Sequence, residues 1–395
     1  MAESQVGQVG VLARRLAQFR EYRAWANVAT QQTGKSLFSQ AREIIELKSF
    51  GGQCGITDYY WHKLYDDSYL EGRGRRDFLG WRLLQEFSLA LNPRYAVLPA
   101  WDKIVFEQVA RDYGLPVVST LAFFHPALQS SLRSGIHLGS LDVAREFLKD
   151  PSHYPLFCKP AFSQGGHGTA FVQHLDESGE SLVMLDGSSV LIDDFVTRLE
   201  KTVSHQYHKP QCGFLFQKPL KPAAEIERIT GWSAVCSVRV VCLNGSDGAR
   251  PIRAAWKISV PPNHTDNFGM GDHGNLLANV DLETGRINKT IGGFWPNTQV
   301  FANHPVTGLP LEGFELPGWQ KILELCALGG KVFPLMKVHH WDFALTDKGP
   351  VIMELNDIGG TQISQMHGSG LLTEPTRAFL KAHGNATAHT WLTRI

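Results

Sequence analysis

Apolar residues recur at helical spacing through the first hundred residues of the chain. The apolar positions of two amphipathic stretches are Leu12, Leu16, Phe19, Leu37, Ala41, Ile44 and Ile45. Gly51-Gly52 interrupts this pattern, and a third run over residues 81–91 ends at Asn92-Pro93. The spacing predicts a mostly helical N-terminal region over residues 1–95.

The pattern changes beyond residue 95. A helix is predicted from Asp102-Lys103 to Tyr113, where Gly114 ends it, and another over residues 141–149. From about residue 155, short apolar runs alternate with turns rich in Gly and Asn, which is typical of β-strands. The chain is therefore predicted to be an α+β protein.

Two short apolar runs near the C-terminus, 339–345 and 350–356, flank a turn and predict two adjacent strands. Asp342 lies on the first strand, and Glu354 and Asn356 lie on the second. Because Glu354 and Asn356 are two residues apart, they project from the same face. Three oxygen ligands on neighbouring strands suit a hard cation such as Mg²⁺. The spacing therefore predicts a metal site.

His339 and His340 precede this site on the first strand. Adjacent strand residues point to opposite faces, so one histidine faces the same side as Asp342 and the other faces away. Substrate binding and simple packing are both consistent with the pair.

A lysine and a glycine-rich stretch lie between two other predicted strands. The apolar run 156–160 contains Lys159, and the residues 163–169 that follow are rich in Gly. Such a hairpin lets backbone N–H groups approach phosphates closely, and the lysine adds a point charge. An ordinary turn is the alternative, because no GK[ST] sequence opens a helix here.

The apolar run 213–216 leads into a short linker that begins at Gln217. A linker between two lobes offers backbone groups to an adenine edge, and Glu225 or Glu227 would reach ribose hydroxyls. A buried strand followed by a solvated helix start is the alternative for this segment.

Two cations lie within alternating β patterns, Arg239 in 237–241 and Lys257 in 254–258. A cation on the inward face of a strand is unfavourable unless an anion pairs with it. A phosphate, a substrate carboxylate or an ordinary salt bridge would each satisfy that need.

Charge and composition restrict the partners. The 395 residues include 38 Lys plus Arg and 38 Asp plus Glu, so neither nucleic acid nor a membrane surface is indicated. The N-terminus has no secretory pattern, and no stretch approaches the roughly 20 apolar residues of a membrane span. A cytoplasmic protein is expected. The six cysteines lack CxxC spacing, which favours buried thiols over a zinc site.

Taken in order, these elements resemble the ATP-grasp superfamily. Within it they resemble the sugar-transfer-associated group, which is related to α-L-glutamate-ligase-like proteins. The likeness covers roughly residues 35–370. The residues that carry it are Asp102-Lys103, Lys159-Pro160 with the glycine-rich loop, Gln217, Asp266-Asn267-Phe268, Arg239, Lys257, Asp342 and Glu354-x-Asn356.

The resemblance implies two α+β lobes that clasp ATP behind the helical region. The first lobe, 96–216, would carry the glycine-rich loop, and the second, 217–395, would carry the metal site. Asp342, Glu354 and Asn356 would hold one or two Mg²⁺ ions, or Mn²⁺. Arg239 and Lys257 would be the catalytic residues. The implied nucleotide contacts are Lys103, Lys159, Gln164, Gly165, Gly166, His167, Gly168, Gln217, Lys218, Leu220 and Glu225.

The resemblance also implies a reaction. A substrate carboxylate would attack the γ-phosphate of ATP, and an amine would displace phosphate from the resulting acyl phosphate. The expected partners are a small-molecule carboxylate and an amine, with no nucleic acid and no membrane, and a homodimer is left open. The alternatives are a small-molecule kinase on the same fold and a nucleotide-binding regulatory protein without turnover.

Overall fold

The computed structural model describes residues 2–125, 135–161, 168–201, 213–360, 362–386 and 388. The N-terminal region is helical, as predicted. Its helices are α1 (Ala2–Thr33), α2 (Leu37–Ser49), α3 (Ile56–Trp61), α4 (Asp67–Leu70), α5 (Leu84–Leu91) and α6 (Leu98–Trp101). The Ser36 side chain caps α2 by accepting from the Ser39 N–H. Buried Tyr59, Tyr60, Tyr65 and Trp295 form the core of this region.

The first sheet contains seven strands in the order β2-β1-β7-β3-β4-β5-β6. They are β1 (Thr120–Phe124), β2 (Ile136–Leu138), β3 (Leu156–Pro160), β4 (Ala170–Leu175), β5 (Ser181–Met184), β6 (Ser189–Leu191) and β7 (Phe214–Gln217). Two helices, α8 (Leu141–Leu148) and α9 (Ile192–Lys201), share a buried apolar core with one face of this sheet. The helix before it, α7 (Lys103–Asp112), begins at the Asp102 cap.

The second sheet is antiparallel and has the order β12-β11-β10-β9-β8-β13-β14. Its strands are β8 (Ser237–Gly245), β9 (Gly248–Ile258), β10 (Leu276–Val280), β11 (Ile287–Gly292), β12 (Gln299–Val300), β13 (Val338–Thr346) and β14 (Gly349–Asn356). The helices of this part are α10 (Ala224–Thr230), α11 (Trp319–Val332) and α12 (Glu374–His383).

Strand alternation gives the second sheet one apolar face and one face that carries charges. Val240, Trp256 and Trp341 lie in the main core with Phe106 of α7 and Ile322 of α11. Helix α7 thus packs on the second sheet, although residues 96–216 were predicted to form one lobe with the first. The predicted division at residues 95 and 216 stays a prediction.

The opposite face of the second sheet is covered at one end by the N-terminal region. Leu79, Leu83 and Phe87 pack there against Val241 and Val338. The Asn92 carboxamide oxygen accepts from the N–H groups of Lys337 and Val338 at 2.7 and 3.0 Å. Across the part of the chain that is described, no helix combines the length and apolar character needed to span a bilayer.

Candidate active site

Three buried charged side chains meet on the second face of this sheet. Asp342 of β13 lies directly opposite Arg239 of β8, and Lys257 lies on the next strand, β9. Arg239 donates to both carboxylate oxygens of Asp342, with 2.7 Å between Nη2 and Oδ2. Lys257 Nζ lies 3.2 Å from the same Oδ2. The side chains are 11, 10 and 4% exposed for Arg239, Lys257 and Asp342, so the cluster is largely shielded from solvent.

The two cations determine the protonation state of Asp342. Burial alone would raise the pKa of its carboxyl, but the charges of Arg239 and Lys257 outweigh burial and hold this pKa well below its usual range. Asp342 is therefore a carboxylate throughout the physiological pH range, and it is the acid that both cations share.

A loop after β9 adds a second acid to the cluster. Asp266 Oδ2 accepts from the Ser237 N–H at 2.7 Å and from the Ser237 hydroxyl, and it lies 3.7 Å from Lys257 Nζ. The 266–268 loop, which the resemblance had identified without a role, is thereby tied to the start of β8 beside Lys257.

The two other predicted metal ligands lie beside Asp342. Glu354 is its cross-strand neighbour, and the Asn356 amide donates to Glu354 Oε1 at 3.1 Å. Carboxylate and amide oxygens at these positions fit Mg²⁺. Both oxygens of Asp342 already accept from Arg239, so this side chain serves first as an ionic partner. Among the described residues, no group of three His, Cys, Asp or Glu side chains forms a metal site.

Lys159 and Lys103 provide a second group of cations. Lys159 is 9% exposed at the end of β3, and Lys103 Nζ donates to the Ala161 carbonyl at 3.3 Å. Burial and the charge of Lys103 lower the pKa of Lys159 to about 8, whereas Glu354 and Glu107 oppose that shift. No carboxylate of the described ranges lies within 4.0 Å of the Lys159 ammonium. An anionic ligand would therefore neutralise it.

The predicted glycine-rich loop is described only at its end. Gln164, Gly165, Gly166 and His167 lie outside the described residues. Gly168 has a φ of +74°, a conformation that glycine adopts without strain.

In the predicted adenine linker, the side chains of Gln217 and Lys218 form hydrogen bonds to other parts of the chain. Gln217 Nε2 donates to Thr120 Oγ1 at 3.2 Å, and Lys218 Nζ contacts the carbonyls of residues 152–154 at 2.5–3.3 Å. Leu220 is half-buried, and Glu225 is exposed in the first turn of α10. The backbone of 217–220, rather than the side chains of Gln217 and Lys218, is thus the part available to a base.

Glu107 belongs to this site but was not singled out from the sequence. It is 5% exposed on α7 and accepts from the Thr120 N–H at 3.0 Å and from the Thr120 hydroxyl. Arg111 Nη2 lies 3.0 Å from the same carboxylate. Its position four residues after Lys103 places both on one helix face, which is the signal that would have identified it.

The two histidines before Asp342 are fully buried. His339 Nε2 lies 3.3 Å from the Phe333 carbonyl on the core side, and His340 lies on the same face as Asp342. Burial lowers the pKa of both, to about 4 for His339 and about 3 for His340. Neither ring nitrogen of His340 has a hydrogen-bond partner within the described part of the chain.

Comparisons with known proteins agree with this architecture. The sugar-transfer associated ATP-grasp family matches residues 82–379. A comparison with curated protein sequences finds no match.

Several solved structures resemble the chain at low identity. D-alanyl-alanine synthetase A from Vibrio cholerae is 13% identical over 77% of this chain and 66% of its own, with a TM-score of 0.38. VanG D-Ala:D-Ser ligase from Enterococcus faecalis is 12% identical over 77% and 64%, with a TM-score of 0.39. Biotin carboxylase from Campylobacter jejuni is 12% identical over 73% and 50%, with a TM-score of 0.40.

The chain thus spans between half and two thirds of the length of these three structures. Their low identities and TM-scores add no argument to the family match, which itself covers most of the chain. From residue 82 to residue 379, this chain belongs to the sugar-transfer associated ATP-grasp family.

Proposed function

We propose that this protein is an ATP-dependent carboxylate–amine ligase, which forms an amide bond through an acyl phosphate and releases ADP and phosphate. The observation that carries the proposal is the buried cluster in which Arg239 and Lys257 share Asp342 beside Glu354. Membership of an ATP-grasp family supports an ATP-dependent enzyme. The ligase reaction is the further step proposed here.

Lys159 and Lys103 suit the phosphates of the nucleotide. The pKa of Lys159 is lowered by burial and by the second cation, so binding a phosphate would relieve an unfavourable buried charge. Residues 164–168 would close over the phosphates, the backbone of 217–220 would hold adenine, and Glu225 would reach the ribose.

The proposed chemistry has two steps. A carboxylate oxygen of the first substrate bonds to the γ-phosphorus while the bond from that phosphorus to the bridging oxygen of ADP breaks. The amine nitrogen of the second substrate then bonds to the acyl carbon and loses a proton, and phosphate leaves with the attacking oxygen. Both steps place negative charge on oxygens near phosphorus.

Arg239 and Lys257 are suited to stabilise that charge. They are fixed by Asp342 before substrate binds, so they need not reorganise during the reaction. Their burial strengthens the interaction because water does not screen it. Asp342 keeps both cations in place and is therefore a positioning residue in this proposal.

Glu354 and Asn356 would hold Mg²⁺, with Asp342 beside them. When bound, the ion supplies further neutralisation of the phosphate oxygens. One or two ions are compatible with this set of oxygen ligands, and Mn²⁺ has similar preferences.

A substrate screen tests the proposal. Carboxylates and amines are offered in pairs with ATP and Mg²⁺, and ADP release is measured with mass detection of the products. We expect release that needs both partners, and a hydroxamate when hydroxylamine replaces the amine. A stable phosphorylated product would indicate a kinase instead. If the protein binds ATP but releases no ADP with any carboxylate–amine pair, it is a nucleotide-binding protein without turnover.

A further inference from the structure

The segment that follows β14, residues 357–360, contacts Arg239 on the sheet face that carries the charged cluster, here called the catalytic face. Arg239 Nη1 donates to the Gly359 carbonyl, while Nε and Nη2 of the same guanidinium donate to Asp342. All three guanidinium nitrogens therefore have a partner. The Gly359 carbonyl fixes the nitrogen that Asp342 does not contact.

The backbone of Gly359 lies directly on the sheet. A Cβ atom at this residue would overlap the Cβ, Cγ and Nδ1 atoms of His340. His340 is fully buried and lies two residues before Asp342 on β13, so both side chains project from the same face. Only a residue without a side chain fits between His340 and the rest of the segment, and this close contact holds the Gly359 carbonyl beside Arg239.

The other end of the segment is held by helix α6. Trp101 Nε1 donates to Asp357 Oδ2 at 3.0 Å, and Asp357 Oδ1 accepts from the Ile358 N–H at 2.8 Å. Asp357 is 7% exposed, so water has little access to these bonds. Because only Ile358 separates Asp357 from Gly359, a shift of the carboxylate would also move the Gly359 carbonyl.

The backbone on either side of Trp101 is ordered. Trp101 is the last residue of α6, and the next residue, Asp102, caps α7 by accepting from the N–H groups of Ile104 and Val105 at 2.9 and 3.1 Å. The indole N–H is thus presented at a defined position relative to the second sheet, on which α7 packs.

Burial of the indole ring does not explain a tryptophan at this position. Trp101 is 47% exposed, whereas its N–H reaches a carboxylate that is almost completely buried. A phenylalanine would bury a similar apolar surface without forming that bond. The specific contribution of tryptophan here is therefore its hydrogen bond to Asp357.

We infer that Trp101 is a positioning residue, which fixes the guanidinium of Arg239 through the 357–360 segment. A cation that stabilises charge on a transferring phosphoryl group acts best when its orientation is set before that charge develops. The inference rests on the proposed function for the role of Arg239 in turnover. The positioning itself is a property of the chain without ligands, and it can be measured separately.

Rotation of the Arg239 guanidinium tests the positioning without a substrate. In the intact chain labelled with ¹³C,¹⁵N-arginine, NMR exchange measurements give the rate at which Nη1 and Nη2 interchange. The signals absent from Arg239→Lys identify those of Arg239. Trp101→Phe keeps an aromatic ring and removes the indole donor. We expect this variant to raise the Arg239 rate several-fold, because the segment then no longer holds the Gly359 carbonyl at Nη1.

Trp319→Phe is the matched control, because it also removes one indole hydrogen bond. Trp319 donates to the Leu282 carbonyl at 3.1 Å and packs in the main core, on the opposite face of the sheet. This variant should leave the Arg239 rate unchanged even where it lowers stability.

Gly359→Ala disturbs the same contact from its other end. The added methyl group would collide with His340 and displace the carbonyl from Arg239, so the Arg239 rate should rise although Trp101 is intact. This variant also provides the test if Trp101→Phe does not fold.

Turnover provides a second readout for Trp101→Phe. With a carboxylate–amine pair found by the screen, we expect kcat per folded molecule to fall by about ten-fold or more, as small misplacements of catalytic groups do. The KM for ATP should stay near that of wild type, because Lys103 and Lys159 are unchanged.

Unchanged rotation of Arg239 in both Trp101→Phe and Gly359→Ala would overturn the inference, as would an equal rise in Trp319→Phe. Faster rotation with wild-type kcat would also overturn it, because Trp101 would then have no effect on the reaction. If rotation becomes faster but no substrate pair supports turnover even in wild type, the ligase proposal fails and the positioning of Arg239 by Trp101 stands.

Discussion

Asp342 is the residue on which the ionic cluster depends, because its two oxygens accept from Arg239 and its Oδ2 also faces Lys257. Removing one member of a buried ion pair leaves the remaining charges without compensation, which is much less favourable than losing an exposed pair. The carboxylate is thus expected to matter for folding as well as for turnover.

Replacing Asp342 with Asn tests the role of this carboxylate. We expect Asp342→Asn to lower the free energy of unfolding by about 3–5 kcal/mol, because Arg239 then loses its buried carboxylate partner and Lys257 keeps only the more distant Asp266. Urea denaturation measures the change. The control is Glu315→Gln, which breaks the exposed pair with Arg286 and should be nearly neutral. Equal stability of Asp342→Asn and wild type would contradict the assigned role.

Glu354 is expected to behave differently, because the ion pairs of Arg239 and Lys257 are made with Asp342 and Asp266, whereas Glu354 accepts from the Asn356 amide. Glu354→Gln keeps the side-chain shape and removes one ligand charge, so it should abolish Mg²⁺-dependent ATP turnover and leave the unfolding midpoint near that of wild type. ADP formation and thermal unfolding are measured on the same preparation. Wild-type turnover by this variant would remove Glu354 from the metal site.

Lys159 is expected to make the affinity for ATP fall as the pH rises. Its pKa is lowered to about 8, so it must take up a proton to neutralise phosphate once the pH exceeds that value. ATP affinity should therefore fall as pH rises from 7.5 to about 9, and Lys159→Arg should remove this fall because arginine stays charged. Calorimetry measures the affinity, and Lys159→Ala should bind weakly throughout. Parallel profiles for wild type and Lys159→Arg would show that another group titrates.

Element by element, the sequence was most informative where strand alternation governs the structure. The spacing of Glu354 and Asn356 correctly placed both on one face beside Asp342. The strand-borne Arg239 and Lys257 did not reveal their common partner, because that pairing depends on the order β9-β8-β13 in the sheet. A single strand pattern carries no information about its neighbours.

Helix α7 is a second case in which the sequence predicts an element but not its neighbours. Its extent followed from sequence to within a residue at each end, but the Asp102 cap and its packing on the second sheet did not. Glu107 was overlooked because its partners, Thr120 and through it Gln217, lie on two strands of the first sheet.

This connection predicts that α7 supports nucleotide binding. Glu107→Gln would weaken the hydrogen bonds to Thr120 and remove the charge that opposes the lowered pKa of Lys159. We expect a loss of about 1–3 kcal/mol in unfolding free energy and a several-fold weaker affinity for ATP. Glu146→Gln on α8, where the side chain is exposed, is the matched control. A variant with lower stability but wild-type affinity would show that Glu107 acts on folding alone.

At the scale of the whole molecule, the N-terminal helices and the segment after β14 both cover the catalytic face. Asn92 binds the start of β13 from 245 residues away in sequence, and Tyr69 binds Met366 from 297 residues away. Contacts over such separations leave no local pattern, so the helical character of this region was predictable but its position over the sheet was not.

That cover lies over the sheet face that carries Arg239 and Lys257. We therefore propose that the chemistry takes place on the second sheet and that the N-terminal helices and the segment after β14 enclose it. In this proposal, a substrate carboxylate attacks the γ-phosphate of ATP on this face.

Oxygen transfer tests this claim most directly. A carboxylate substrate found by the screen is labelled with ¹⁸O and turned over with ATP, Mg²⁺ and the amine, and the released phosphate is analysed by mass spectrometry. We expect one labelled oxygen in phosphate and ADP as the nucleotide product, because the attacking carboxylate oxygen leaves with phosphorus. AMP and pyrophosphate as products, with no label in monophosphate, would contradict it.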